Sequence, residues 1–567
     1  NLGLAARFVS GYLIQLKADV DPIEGPTGTD HDFCDLHAWA EVYIPGAGWI
    51  GLDATSGLLT GEGHIPLCAT PHYRSAAPIS GGVDKAEVEF AFDMEVTRIR
   101  EAPRITAPFS DESWAKLNAL GEAVDLDLMA QDVRLTMGGE PTFVSIDDPD
   151  GPEWNHTAVS PAKRQLSGRL LRRLAGRYSP GALLHYGQGK WYPGEQLPRW
   201  ALSAFWRADG VPIWDDPLLF ADEENPGRFG EAQARELLQG IAEELGVDGR
   251  RILPAYEDVF YYTWRERRLP GNVDPLRSNL ADPMERDRLA RVFQHGLGNP
   301  VGYALPVQGP AASGLQGWRS GEWFLRDGET LWLMPGDSAM GLRLPLDSIP
   351  WVSKGDYPWL HPHDPMDDRL PELPKAFPRQ RFVSGRDPRA AAEAVGTGGP
   401  GGIRRQRRPE PARQPPEAAP SPGQSAPWVI RTAMCVEPRD GRLHVFMPPL
   451  SRLEDYLELL SDIEATAERL QQPVVIEGYL PPHDPRIQVM KVTPDPGVIE
   501  VNVHPARNWE ELKHITTGVY EEARQTRLGT EKFQLDGKQT GTGGGNHIVI
   551  GGETPADSPL LRRPDLL

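Results

Sequence analysis

Gly497-Val-Ile-Glu500-Val-Asn502-Val-His504-Pro505 alternates apolar and polar residues with a period of two. That period predicts a β-strand, in which successive side chains point to opposite faces. Glu500, Asn502 and His504 then share one face, and Ile499, Val501 and Val503 the other. Each polar side chain on a core strand needs a partner, because burying it without one costs free energy. Oxygen donors of this kind suit Mg²⁺, which takes a few carboxylates and fills its other positions with water and phosphate oxygens. Glu500 and Asn502 are therefore candidate metal ligands; the competing reading is a solvated sheet edge.

Further signals flank this strand. Leu135-Thr-Met-Gly138-Gly139-Glu140 places a carboxylate after a strand and a glycine pair, as a ligand or as a local cap. Val474-Val-Ile-Glu477 ends an apolar strand in a lone carboxylate, a further candidate metal ligand. Thr540-Gly541-Thr-Gly543-Gly544-Gly545-Asn546-His547 is a run in which backbone N–H groups can approach an anion closely. It fits neither the P-loop nor the dinucleotide pattern, so a plain flexible loop is its alternative. Lys190 and Arg431 are cations suited to a phosphate or a substrate carboxylate, or to ordinary ion pairs. Glu140, Glu500 and the 541–547 loop are expected to converge on one site although hundreds of residues separate them.

Helical periodicity recurs between the strands, at 161–176, 230–245, 284–296, 451–471 and 508–526. The first of these opens with Ser160-Pro161, a capping serine and a first-turn proline. Mixed helices and strands make the class α+β. The segment 1–105 reads as strands, among them Arg7-Phe-Val-Ser-Gly-Tyr-Leu, Ala38-Trp-Ala-Glu-Val-Tyr-Ile and Val88-Glu-Phe-Ala-Phe-Asp-Met-Glu-Val. A connecting helix follows over 106–131, then one region over 132–387 and its continuation over 427–567. Between the last two, 388–426 is rich in Gly, Pro, Ala and Arg and reads as a disordered insertion.

The chain of 567 residues is too long for one core, since cores stop growing at roughly 250–300 residues. Its net charge of −21 argues against nucleic acid or an anionic membrane as partner. Cys34, Cys68 and Cys435 form neither a disulfide framework nor a zinc pattern, which points to a reducing, cytoplasmic compartment. No apolar run approaches the roughly 18 residues of a membrane span. Both ends look cut, as in a piece of a longer protein.

His37 opens one strand and Asp53 ends the next, 16 residues on, across the turn Pro45-Gly-Ala-Gly. A hairpin would join them as a general base and the carboxylate that orients it. One histidine and one aspartate are also compatible with a purely structural pair.

Three ordered blocks, Gly3-Leu-Ala-Ala-Arg7-Phe-Val-Ser-Gly-Tyr12, His37-Ala-Trp-Ala-Glu-Val-Tyr and Gly48-Trp-Ile-Gly-Leu-Asp53, resemble the bacterial transglutaminase-like family. The resemblance implies a papain-like fold with a Cys–His–Asp triad, His37 and Asp53 matching base and orienter. The family's cysteine sits on a helix just before the first block, which would place it ahead of Asn1. Cys34 lies three residues before His37 and does not match it. The chain as given is then expected to lack this activity.

From about 132 onward the blocks resemble the amidoligase region that follows transglutaminase-like domains in large bacterial proteins. That region is distantly similar to carboxylate–amine ligases of the glutamine synthetase and glutamate–cysteine ligase type. The resemblance implies an antiparallel sheet whose inward carboxylates hold divalent metal beside ATP. Gly139-Glu140 is similar to a Gly-x-Glu element of those enzymes, with Thr142 where their second glutamate stands, which leaves the metal count open. Gly543-Gly-Gly-Asn-His547 is similar to a glycine-rich, histidine-containing strand entry.

The implied activity is ATP- and Mg²⁺-dependent amide formation on a peptide or amino-acid-like substrate, fused to a cysteine protease or amidase. Metal would sit on Glu140, Glu477, Glu500 and Asn502. Nucleotide would contact Gly541, Gly543, Gly544, Gly545, Asn546, His547, Lys190 and Arg431. Two rival readings stand beside it. One is a non-catalytic peptide-binding scaffold, for which the tryptophans and tyrosines around Trp191 and Trp206 would form a groove. The other is a hydrolase whose remaining chain controls access.

Overall fold

In the computed structural model the described residues are 3–17, 29–55, 57–61, 63–77, 79–97, 109–195, 198–225, 227–269, 272, 283–313, 317–326, 330–361, 364, 370–377, 418–533 and 539–566. They divide into two compact units, Asn1–Ser110 and Asp111–Leu567.

The first unit is built on a five-stranded antiparallel sheet. Its strands are β1 (Ala6–Gln15), β2 (Phe33–Ile44), β3 (Gly48–Asp53), β4 (Leu58–Leu59) and β5 (His64–Thr70), in the order β4-β3-β2-β1-β5. The β2–β3 hairpin turns on Gly46 and Gly48, whose φ values of 90° and 83° suit glycine. Val9 and Trp39 are its buried side chains on β1 and β2. Val88–Val96, expected as a strand, forms none: Val88, Phe90 and Phe92 are 78%, 72% and 57% exposed. Alternation supplies only a preference; a strand also needs a neighbour to pair with its N–H and C=O groups.

The second unit is α+β around a twelve-stranded sheet. Along the chain come β6 (Thr136–Glu140), β7 (Thr142–Ser145), β8 (Leu183–Gln188), β9 (Trp200–Arg207), β10 (Leu253–Glu257), β11 (Gly302–Pro306) and β12 (Leu331–Leu333). Then follow β13 (Ala433–Arg439), β14 (Arg442–Met447), β15 (Val474–Gly478), β16 (Ile487–Asp495), β17 (Val498–Asn502), β18 (Leu528–Gly529), β19 (Glu531–Phe533), β20 (Gln539–Gly541) and β21 (His547–Gly551). The sheet order is β12-β10-β11-β13-β14-β15-β8-β9-β16-β17-β7-β18. The expected antiparallel sheet is corrected to a mixed one: β10/β12, β14/β15 and β15/β8 run parallel. The helix Leu453–Leu470 makes the long crossover that parallel β14 and β15 require.

The helix Pro161–Tyr178 packs on β8, β9 and β16, and Glu231–Leu245 on β11 and β13. Ser160 caps the first, accepting from Lys163 N at 3.1 Å, as its sequence signature predicts. Asp111–Ala130 belongs to this unit rather than to a free connector. Trp509 lies on it, donating from Nε1 to Asn118 Oδ1 at 3.1 Å and from its backbone to Asp125 Oδ2 at 2.8 Å. Gly321–Leu325, read as a strand, has no ladder partner, and its Trp323 instead turns inward to Ile430 O at 2.7 Å.

Of the expected insertion 388–426, residues 388–417 lie outside the described residues. The final stretch is ordered and needs correction. Ala426 is fully buried and bonds Trp351 O at 3.0 Å, and Ser425 donates to Asp356 at 2.6 Å.

Candidate functional site

The antiparallel register around β17 assembles the site. Glu500 pairs with Thr142 on one side and Thr493 on the other. Val501 N bonds Pro141 O at 2.9 Å and Val503 N bonds Gly139 O at 3.1 Å, which sets Glu140 opposite Asn502. On the other edge of β6, Glu140 pairs with His547. Paired residues point the same way. Glu140, Thr142, Glu500, Asn502 and His547 therefore share one face. Glu140 and Glu500 occupy diagonal positions, roughly 7–8 Å apart at the backbone.

The glycine loop lies over this face and is pinned to it. Asn546 Oδ1 accepts from Thr142 N at 3.0 Å, and the Thr142 and Thr542 hydroxyls bond at 2.5 Å. Gly543 needs glycine for its φ of 90°. Gly544 needs it for space, since a Cβ there would stand 2.9 Å from Val498 and 3.0 Å from Thr142. Gly541 ends β20, and Gly545 leads into the His547 ring. His547 Nδ1 lies 2.9 Å from Glu140 Oε2. Thr142, which departs from the second glutamate of the ligases this region resembles, thus anchors the loop.

Negative charge is concentrated around Glu500. Burial pushes the Glu500 carboxyl above its ordinary range, and Asp495 and Glu140 push it further. Lys190 and His547 act in the opposite direction, which places Lys190 within electrostatic reach of Glu500. These donors fit Mg²⁺ in kind: two carboxylates and an amide leave half the positions of an octahedral ion to phosphate and water. A cation would also relieve the repulsion that raises Glu500. They do not form a closed protein cage. Among the described residues, the group of three ligand side chains close enough to share an ion is His37, Asp53 and His64.

A polar row continues from this face, one residue per strand: His547, Glu140, Asn502, Lys491, Ser203 and His185. Ser203 and His185 are buried, and the Ser203 hydroxyl has no hydrogen-bond partner. Burial pulls His185 down to about 4, so the row ends in a neutral imidazole. This row is not legible in the sequence, because Lys491, Ser203 and His185 sit in three unrelated segments. Only the register unites them.

Glu477 and Arg431 do not join this site. Glu477 is on β15, four strands from β17, or about 19 Å at a spacing of about 4.8 Å per strand. Its carboxylate is held by Arg439, with His444 Nδ1 at 3.4 Å. Arg431 precedes β13, farther along the sheet, where it donates to Pro350 O and covers the Tyr357 ring at 5.9 Å.

In the first unit, His37 Nε2 lies 2.9 Å from Asp53 Oδ2, and Asp53 is 2% exposed. Donation from Nε2 leaves Nδ1 as the basic nitrogen. Asp53 Oδ1 accepts from Thr55 N at 2.9 Å. A second imidazole, His64, reaches Asp53 Oδ2 at 3.2 Å, while its Nδ1 accepts from Gly61 N at 3.2 Å. That backbone donor fixes the tautomer in which His64 Nε2–H donates to the aspartate. His64 opens β5, two strands away in sequence, and nothing in its local sequence marks it.

No curated protein and no solved structure matches the chain. Among the described residues no helix is long and apolar enough to cross a membrane. Residues 1–54 match the model of the transglutaminase-like superfamily. Residues 84–567 match the family described as "Putative amidoligase enzyme (DUF2126)", and with that match over most of its length the chain belongs to this family.

Proposed function

We propose that the second unit is an ATP- and Mg²⁺-dependent carboxylate–amine ligase acting on a peptide or amino-acid-like substrate. The observation that carries the reading is the shared face of Glu140, Glu500 and Asn502 beneath a pinned glycine loop. When bound, Mg²⁺ on Glu140 and Glu500 would offset the charge of the phosphates. The backbone N–H groups of Gly543–Asn546 would cradle those phosphates. Lys190 would add positive charge on the substrate side. In such a ligase the substrate carboxylate attacks the γ-phosphorus and ADP leaves. An amine then attacks the acyl carbon, and phosphate leaves with loss of the amine proton. Calorimetry of the chain with Mg·ATP, and with ATP in the presence of a chelator, tests the reading. Metal-dependent binding supports it, and absence of binding favours the scaffold.

A second activity is supported in the first unit by the His37–Asp53 bond. This pair suits the base and orienter of a cysteine hydrolase or acyl transferase. Loss of amide turnover by the native protein on His37→Ala, with the fold intact, is the expected result. Undiminished turnover would remove this second activity.

A further inference from the structure

A cavity of about 420 Å³ opens on the sheet face opposite Glu500. Ile476 shares a face with His185, Ser203, Lys491 and Asn502 through successive pairings, so its neighbour Glu477 points to the other side. The cavity floor is His444 and Phe446 of β14, Glu477 of β15, Tyr186 of β8 and Trp200 of β9. Arg164 and the segment Asp337–Leu342 close its rim.

The charges around this cavity do not balance. Glu477 and Glu437 are each 6% exposed, and Arg439 lies between them, bonded to Glu477 and 3.3 Å from Glu437. Two buried carboxylates thus share one guanidinium. Glu477 Oε2 accepts from Arg439 and lies 3.4 Å from His444 Nδ1, whereas Oε1 is buried without a hydrogen-bond partner. The other charged groups of the lining are matched. Arg164 is held by both oxygens of Glu223, at 3.2 and 2.6 Å, and Asp337 by Arg288 and Arg291. Arg439 Nε and His444 Nδ1 also lack hydrogen-bond partners but face carboxylate oxygens at 3.3 and 3.4 Å, so the acceptor left over among the charged groups of the lining is Glu477 Oε1. Arg164 already stands over the Tyr186 and Trp200 rings, at 5.1 and 5.9 Å, so the rings bound the site rather than bind the cation.

We infer that this cavity is a binding site for a small ligand carrying a primary ammonium group, which donates to Glu477 Oε1 beside Tyr186 and Trp200. Its volume suits an amino acid or a short amine, at the lower end of ligand pockets. The site is separate from the Glu140–Glu500 face, and the inference does not depend on the ligase reading.

The test is calorimetry of the full chain without ATP or metal, using cadaverine, lysine and Nα,Nε-diacetyl-lysine. Binding of cadaverine alone assigns the site to simple amines, and binding of lysine assigns it to amino acids. In either case the diacetyl compound should not bind, and Glu477→Gln should weaken binding about tenfold or more. Leu342→Trp fills the cavity from its rim without touching the charged cluster, and it decides the matter if Glu477→Gln fails to fold. Absence of binding by both amines at millimolar concentration overturns the inference, as does binding that survives Leu342→Trp or that the diacetyl compound reproduces.

Discussion

Replacing Arg439 by methionine tests how the buried charges beneath the cavity are held. The substitution keeps most of the side-chain volume and removes the cation shared by Glu437 and Glu477. Both carboxylates are 6% exposed, so neither gains hydration when its partner goes. Breaking a buried pair by removing one partner costs about 3–5 kcal/mol. Arg439 keeps 35% of its side chain exposed, and water already screens part of the interaction, which sets the expectation near 3 kcal/mol. That is a large share of the roughly 5–15 kcal/mol that holds a domain together. The sign with pH follows from linkage. In the parent, burial pushes Glu477 up, but Arg439 and His444 outweigh it and the carboxyl lies below its ordinary value. Its contribution is present above the unfolded-state value and lost as acid protonates the folded form. Without Arg439, burial dominates and the folded-state value rises. The variant is then least handicapped in acid and loses stability as pH rises through that raised value. Urea unfolding of parent and variant from mildly acidic to neutral pH reads the gap, which should widen towards neutrality. Adding Glu477→Gln to Arg439→Met should recover much of the loss. A deficit below about 1 kcal/mol, or one that does not change with pH, would mean that the cluster behaves as a solvated surface pair and not as a buried one.

Glu500→Gln should stabilise the ligand-free protein at neutral pH. A raised folded-state carboxyl gives stability below the unfolded value and loses it as pH rises through the folded one, so unfolding midpoints of variant and parent should diverge in that direction. Gly544→Ala places a methyl 2.9–3.1 Å from Val498 and Thr142, so it should displace the loop and weaken nucleotide binding more than it lowers the melting temperature. Ser160→Ala removes the cap of Pro161–Tyr178 and should cost about 1 kcal/mol in urea unfolding, with no effect on ligand affinity. His64→Ala takes one donor from Asp53, and the expected cost is again about 1 kcal/mol. The His37–Asp53 bond should survive, visible as an unchanged downfield imidazole N–H resonance.

What the sequence made legible follows the range of each interaction. The Ser160 cap, the β2–β3 hairpin and the alternation of β17 are local, and they stand where the pattern places them. Glu140, Glu500 and the glycine loop were grouped on chemical grounds, and the register brings them to one face. The parallel strands were not legible, because direction in a sheet depends on crossovers rather than on the residues of a strand. The separation of Glu477 from Glu500 was hidden for the same reason. Both end or interrupt apolar strands with a carboxylate, yet one meets Arg439 and the other meets Glu140 and Asp495. His64, Arg439 and Glu437 were missed, since each matters only through a partner that is distant in sequence or on a neighbouring strand.

One face of the sheet, closed by the glycine loop, is the proposed seat of Mg·ATP. Isothermal calorimetry of the chain with ATP, in Mg²⁺ and in chelator, measured on the parent and on Glu500→Gln, tests it most directly. Binding should require Mg²⁺ and weaken about tenfold or more in the variant, at unchanged secondary structure. Absence of binding by the parent, or equal affinity in parent and variant, would contradict it.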